Sequence, residues 1–292
     1  MKKLKSLILV AAMVIGIFAV DASSVEAATK TATNNRMVMY AKVFDYVYYV
    51  NTYPEVAAAV GNNSQALLLH YMDCGIKEGR SASAYFNQQS YAARYPDLAA
   101  AYGDNYDAYV NHYLTVGLYE GRNASASDDY LTEENQALVL SRLTTMVGSC
   151  TTVYNASVPR ATNVQLAASK INGTIVQPGQ TFSYDKTVGP RTEANGFVEA
   201  PIYISGQHGV GIGGGICQVS STLYTALVTA GIPATERHEH SLPVSYLPSG
   251  YDATISTGVY DLKFKNTYDK PLLIYCSAKD GYLVVQLTLV EQ

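Results

Sequence analysis

Between residues 39 and 126 the apolar positions fall in short helical bursts, and the bursts recur. Tyr49 opens YVNTYPEVAAAVGN and Tyr91, 42 residues on, opens YAARYPDLAAAYGD. The same offset carries His70-Tyr71 onto His112-Tyr113 and Glu78-Gly79-Arg80 onto Glu120-Gly121-Arg122. A period of this size marks a stacked supersecondary unit, here two units over 39–83 and 84–126. Pro54 and Pro96 suit a first helical turn, the alanine triplets carry the helix on, and Gly61 and Gly103 stop it. A second helix in each unit would present Leu67, Leu68 and Tyr71, or Tyr109 and Tyr113, and end at Gly75 or Gly117. His70 and His112 share a register, which points to a structural role repeated in each unit.

After a small polar linker, NASASDD, the stretch TEENQALVLSRLTTMVG predicts another helix. Thr132 is its N-cap, Leu138, Leu140, Leu143 and Met146 its apolar face, and Gly148 its stop. The periodicity then shortens to two. Val, Ile, Tyr and Thr fill short runs punctuated by Gly, Pro and Asp, with Asp280-Gly281 as a hairpin turn. Helices interrupt these runs at about 161–171 and 217–230. The pattern predicts an α+β domain on a mainly antiparallel sheet over 127–292, behind a small all-α repeat domain.

The first residues read as a leader. Lys2, Lys3 and Lys5 precede an apolar run from Leu7 to Val20, and Val25-Glu26-Ala27 is a small-residue cleavage site. Residues 1–27 are therefore expected to be removed, 28–38 to be a linker, and the mature chain to be secreted and wall- or envelope-associated with no membrane span. The 292 residues are 48% hydrophobic and 15% charged, enough for a core, and the formal charge of −4 offers no basic face for nucleic acid. Of the 25 tyrosines, those in the repeats offer faces for cell-wall sugars, although filling the core of the helical units is the simpler use.

Chemistry concentrates around Cys217. The four cysteines, Cys74, Cys150, Cys217 and Cys276, form no CxxC pair, and a bridge between Cys150 and Cys276 stays open. In VGIGGGICQVSSTLYTALVTAG, the residues Val219, Leu223, Ala226, Leu227 and Ala230 lie on one helical face, so Cys217 falls at or just before the first turn. Unpaired amides and the helix dipole there favour a thiolate, and Gly213, Gly214 and Gly215 clear the approach for a substrate backbone. His238 and His240 supply bases that a strand would point to the same face. Asp252 and Asp261 are the acids favoured to hold an imidazole, ahead of Glu236 and Glu239. The structural alternative is a small buried cysteine in a tight helix–sheet contact. Gly209, Gly211 and Gly214 satisfy GxGxxG, but no βαβ pattern follows. His238 and His240 with one distant cysteine lack zinc-ligand spacing, so no cofactor or metal is expected.

Four separated motifs, INGTIVQPGQTFSYDKTVGPRTEANGF, GGGICQVSSTLY, ERHEHSLPVSYLPSGYDAT and DLKFKN, resemble the VanW family over about residues 140–270. Its members are exported or surface proteins, and some are understood to act as L,D-transpeptidases. The resemblance implies Cys217 as nucleophile and His240, ahead of His238, as base, with Asp252 and Asp261 in the catalytic set. It also implies Arg191 as a carboxylate binder, with Gly213, Gly214, Gly215, Ser220, Ser221 and Tyr246 on the substrate side. Peptidoglycan stem peptides are the implied partner and 3-3 cross-linking the implied reaction. A non-enzymatic peptidoglycan-binding protein and a cysteine peptidase or carboxypeptidase on the same stems stand as alternatives.

Overall fold

The computed structural model of the protein describes residues 33, 36–128, 133–204 and 207–290. The leader, most of the linker and Thr132 lie outside the described residues. No helix among the described residues is long and apolar enough to cross a membrane. From residue 36 onward the described chain belongs to a single compact unit.

The N-terminal part is helical: α1 (residues 36–43), α2 (Tyr46–Thr52), α3 (Pro54–Val60), α4 (Ser64–His70), α5 (Gln88–Arg94), α6 (Pro96–Tyr102) and α7 (Tyr106–His112). Side chains of Asp45, Asn63, Asn87 and Asn105 cap α2, α4, α5 and α7 by accepting from the backbone N–H of the third residue of each helix. α4 and α7 each run on into a π-helical turn, Tyr71–Gly75 and Tyr113–Gly117. The interior is tyrosine: Tyr49, Tyr71, Tyr91, Tyr109 and Tyr113 are buried. Tyr49 Oη bonds His70 Nδ1 at 3.1 Å and Tyr91 Oη bonds His112 Nδ1 at 2.9 Å. Both bonds depend on glycine, because a Cβ on Gly75 or Gly117 would strike the tyrosine oxygen.

The C-terminal part is built on three antiparallel sheets. The largest has the order β1-β9-β8-β2, from β1 (Met146–Val153), β2 (Thr174–Val176), β8 (Leu272–Lys279) and β9 (Tyr282–Leu289). A second pairs β3 (Thr181–Ser183), β7 (Lys263–Lys265) and β6 (Ala234–Glu236), and β4 (Glu199–Ile204) pairs with β5 (Gln207–Ile212) as a hairpin. Two helices, α9 (Arg160–Ile171) and α11 (Ile216–Thr229), lie on the large sheet, α9 against β8 and α11 against β1 and β9. Their buried faces, Val164, Ala167, Ala168 and Ile171 on one and Val219, Leu223, Ala226 and Leu227 on the other, meet Val285 and Leu287 of β9 in one core. The mixed helix and antiparallel sheet is an α+β architecture.

The helix read as ending at Gly148 stops earlier. It is α8 (Glu133–Thr145), and Met146 already begins β1, so Gly148 lies inside a strand beside a register shift. Its missing side chain serves packing: a Cβ would collide with the Ala226 carbonyl and come within 2.7 Å of Ala230 Cβ. Gly148→Ala should therefore lower the thermal midpoint, with a cost of about 1–3 kcal/mol for forcing α11 off the sheet; thermal unfolding followed by circular dichroism measures it.

All four cysteines are free. Cys150 of β1 and Cys276 of β8 both sit opposite Val285, one on each side of β9. Two strand spacings, about 9–10 Å, separate them, beyond the reach of a disulfide. Burial pushes both thiols up to about 12. The outer edge of β1 is covered by the first repeat, where Ser64 Oγ accepts from Thr151 N–H at 2.7 Å and donates to Cys150 Sγ at 3.4 Å.

Candidate active site

Cys217 is the second residue of α11, half-buried, with Gly215 as the N-cap. The helix is pinned to the 253–255 segment by two serines. Ser220 Oγ donates to Ala253 O at 2.7 Å, and Ser221 Oγ accepts from Ala253 N–H at 2.9 Å. Both also donate to Cys217 O, at 3.1 and 2.6 Å. Ser220 and Ser221 are fully buried, so they hold the site together instead of meeting substrate as the motif reading expected. Their clamp brings Ile255 N–H to 3.5 Å from Cys217 Sγ, and Thr254 hydrogen-bonds the same sulfur.

His240 closes the site from the other side. The chain leaves β6 at Glu236 and continues without regular structure, so His238 and His240 do not share a strand face. His238 bonds Glu236 at 3.4 Å and stacks on Tyr260 at 4.4 Å. His240 instead donates from Nδ1 to Asp252 Oδ2 at 2.6 Å, and its backbone N–H reaches the same oxygen at 2.7 Å. That leaves Nε2 for Cys217, with which His240 interacts closely enough for each to shift the other's titration. Arg237 secures the carboxylate from behind, through Asp252 O at 2.7 Å and Asp252 Oδ1 at 3.3 Å. Asp261 lies elsewhere: it accepts from Ser183 Oγ at 2.6 Å and Asp185 N–H at 2.7 Å and so holds the turn into α10 (Tyr184–Val188).

The charges follow from this line of three. Burial works against a Cys217 thiolate, but the hydrogen bond and positive charge of His240, with Ile255 N–H and Thr254, carry the thiol below its ordinary value. Burial also works against a charged His240, yet Asp252 and Cys217 raise it to about 9. Burial would lift Asp252, but both bonds from His240 hold it at about 2. The two shifts run in opposite directions, the thiol down and the imidazole up, and both favour a thiolate–imidazolium pair. The sign is testable. Free cysteine is mostly thiol at neutral pH, while Cys217 is thiolate above its lowered value. Iodoacetamide should label Cys217 at pH 7 faster than free cysteine, and His240→Ala should remove the advantage; peptide mapping of the labelled chain reads both.

The glycines do a different task from the one expected. A Cβ on Gly214 would meet Pro201 O at 2.5 Å and Ala200 O at 2.8 Å, and one on Gly215 would meet Arg160 Cγ at 2.8 Å. The chain's own β4 backbone and α9 occupy that space, not a substrate. Gly213, at φ 87°, carries the stem of Arg191 against it, 3.0 Å from where a Cβ would stand. Buried Asn163 of α9 fixes the turn by donating to Gly214 O and Val198 O, each at 2.9 Å. Arg191 Nη1 bonds Asp185 and reaches Thr257 Oγ1 at 2.6 Å, but Nε and Nη2, one edge of the guanidinium, are buried without a partner. Tyr246 has its hydroxyl 3.5 Å from Ser221 Oγ and Arg160 over its ring at 5.9 Å; burial and the neighbouring Cys217 raise its phenol.

Asn163, Thr254, Ile255 and Arg237 were missed as site residues from sequence. Asn163 had one signal, a polar residue beside the apolar stripe of its helix. Thr254 and Ile255 act through a backbone excursion that no residue pattern marks.

A cysteine on the first turn of a helix, an imidazole that lowers its pKa and a carboxylate behind the imidazole form a cysteine–histidine–acid arrangement, the class used for nucleophilic acyl transfer. Residues 159–288, which include all of these groups, match the family model described as VanW like protein, so the C-terminal part carries a VanW-like domain. The chain is 41% identical over 145 residues to the uncharacterized protein YoaR of Bacillus subtilis (strain 168), covering 49% of this chain and 48% of that one. It is 30% identical over 135 residues to the vancomycin B-type resistance protein VanW of Enterococcus faecalis (strain ATCC 700802 / V583), covering 44% and 49%. The chain thus spans about half the length of the curated relatives it matches. No solved structure matches it.

Proposed function

We propose that the protein is a cell-wall enzyme, a peptidoglycan L,D-transpeptidase that works through a Cys217 thioester. The observation that carries this reading is the Cys217–His240–Asp252 line, with Asp252 Oδ2 2.6 Å from His240 Nδ1. The match to VanW-like proteins and the vancomycin-resistance name of one relative support a role at the cell wall.

Cys217 thiolate attacks the carbonyl carbon of the third, diamino residue of a tetrapeptide stem. The bond to the terminal D-Ala nitrogen breaks, and His240 gives that nitrogen its proton. A neutral side-chain amine from a second stem then attacks the thioester, His240 takes the proton released, and the C–S bond breaks to regenerate the pair. Splitting the exchange in two steps lowers each barrier. A stem carboxylate would reach the unpaired Arg191 edge only once the segment covering it moves, and would then satisfy both nitrogens with parallel charge-assisted bonds.

Mass spectrometry of purified disaccharide-tetrapeptide incubated with the protein tests the reading. Dimers lacking one D-Ala and joined 3-3 are the expected product. Tripeptide alone would make the site a carboxypeptidase, and no product with saturable binding would make the protein a non-enzymatic wall binder. Turnover should fall as pH rises through about 9, because His240 then has no proton for the leaving amine.

A further inference from the structure

The first repeat is closed by the second, but the second is closed by α8. Gly79, near the end of the first repeat, lies under Gln89 of α5, whose Oε1 would be 2.7 Å from a Cβ there. Gly121, at the same place in the second repeat, faces Gln136 of α8, whose Oε1 lies 3.6 Å from the corresponding point. The looser cover leaves a cavity of about 300 Å³ between the second repeat and α8, large enough for a small ligand.

Among the lining residues that differ between the repeats, two bring recognition chemistry. Tyr119 stands where the first repeat has Lys77, and Asn123 where it has Ser81. Tyr119 lines the cavity and is 65% exposed. Asn123 also lines it but is only 8% exposed. Its Oδ1 accepts from the Ser125 N–H at 2.8 Å and the Ser125 hydroxyl at 2.7 Å, while its Nδ2 amide is buried with no partner. Ser81 in the first repeat is met by Asn87 Nδ2 at 2.9 Å. The second repeat therefore puts an aromatic face in the wall of this gap, beside a lining residue whose buried amide donor is unsatisfied, with Tyr85, Tyr113 and Leu118 as further walls.

We propose that this cavity binds an N-acetylated sugar of a glycan strand. A tyrosine face takes the C–H side of a pyranose ring, and its polar tip tolerates water. The acetamido group adds the carbonyl acceptor that Asn123 Nδ2 lacks and a methyl for the apolar wall. An anionic ligand fits less well, because Arg122 at the wall is already held by Glu120 at 2.7 Å and Asp97 at 3.2 Å and lies over Tyr95. The choice of a glycan rests on the cell-wall reading above.

The test is calorimetric titration of the whole chain carrying Cys217→Ala with chitotetraose, and with cellotetraose, which lacks the acetamido groups. Chitotetraose should bind saturably and cellotetraose about tenfold more weakly or worse. Tyr119→Lys and Asn123→Ser, which install the first-repeat residues, should each weaken chitotetraose about tenfold with the melting temperature unchanged. Absence of saturable chitotetraose binding, equal affinity for cellotetraose, or unchanged affinity in both variants overturns the proposal. Cross-linking by the same two variants, with Cys217 restored, is read separately, so the glycan site and the Cys217 reaction can each fail alone.

Discussion

Cys217→Ala should abolish formation of 3-3 dimers from disaccharide-tetrapeptide, with product below detection by mass spectrometry while the chain stays folded. No other group in the described site can form the covalent intermediate. Cys150 and Cys276 are buried with thiols pushed up to about 12, and Ser220 and Ser221 are fully buried in bonds to the backbone. Folding should survive, because the anchors of α11 are those serines and the apolar face, and the sulfur adds only long bonds to Ile255, at 3.5 and 3.7 Å, and its interactions with Thr254 and His240. The melting temperature should therefore shift by a few degrees at most. Cross-linking by the variant at the wild-type rate would exclude Cys217 as nucleophile.

Asp252→Asn should lower turnover by about 10²–10⁴-fold, the usual weight of general acid–base catalysis. Asp252 receives two bonds from His240 and a third from Arg237, and it is one of the two groups that raise His240 to about 9. Asparagine keeps the size and loses the charge. His240 then titrates lower, the thiolate loses its partner at neutral pH, and Arg237 faces an uncharged amide. The pH profile separates this from a purely structural effect: the alkaline limb should move down from about 9 together with the loss of rate. A variant that is slow but keeps its alkaline limb in place would show that Asp252 only shapes the loop.

Much of this site was legible in the sequence because it depends on local pattern. The apolar face of α11 and the glycines before it put Cys217 at a helix start, and the observed helix begins one residue earlier than read. The choice of His240 rested on the family resemblance, while spacing and resemblance alike left Asp252 and Asp261 open as the acid behind it, a choice that the structure makes for Asp252. What stayed hidden involves contacts between segments distant in the chain. Ser220 and Ser221 looked like substrate groups because nothing local shows that the 253–255 segment lies across them. The three glycines looked like an open approach because the β4 backbone that fills the space arrives from an earlier hairpin. Gly148 looked like a helix stop because its real reason, the nearness of Ala226 and Ala230, lies some 80 residues away. The antiparallel sheet was clear from alternation and the Asp280-Gly281 turn, the positive φ of both residues fitting that turn.

The hydroxyl of Ser64 on the outer side of β1 also bears on how the molecule can be divided. A chain begun at residue 127 would keep Cys217, His240 and Asp252 but lose the helix that supplies this hydroxyl. β1 would then offer Thr151 and its neighbours as an open ladder to any other copy, the usual start of strand-to-strand aggregation. The two parts should be soluble together and the second sticky alone, so the repeats act as a shield for the fold they precede.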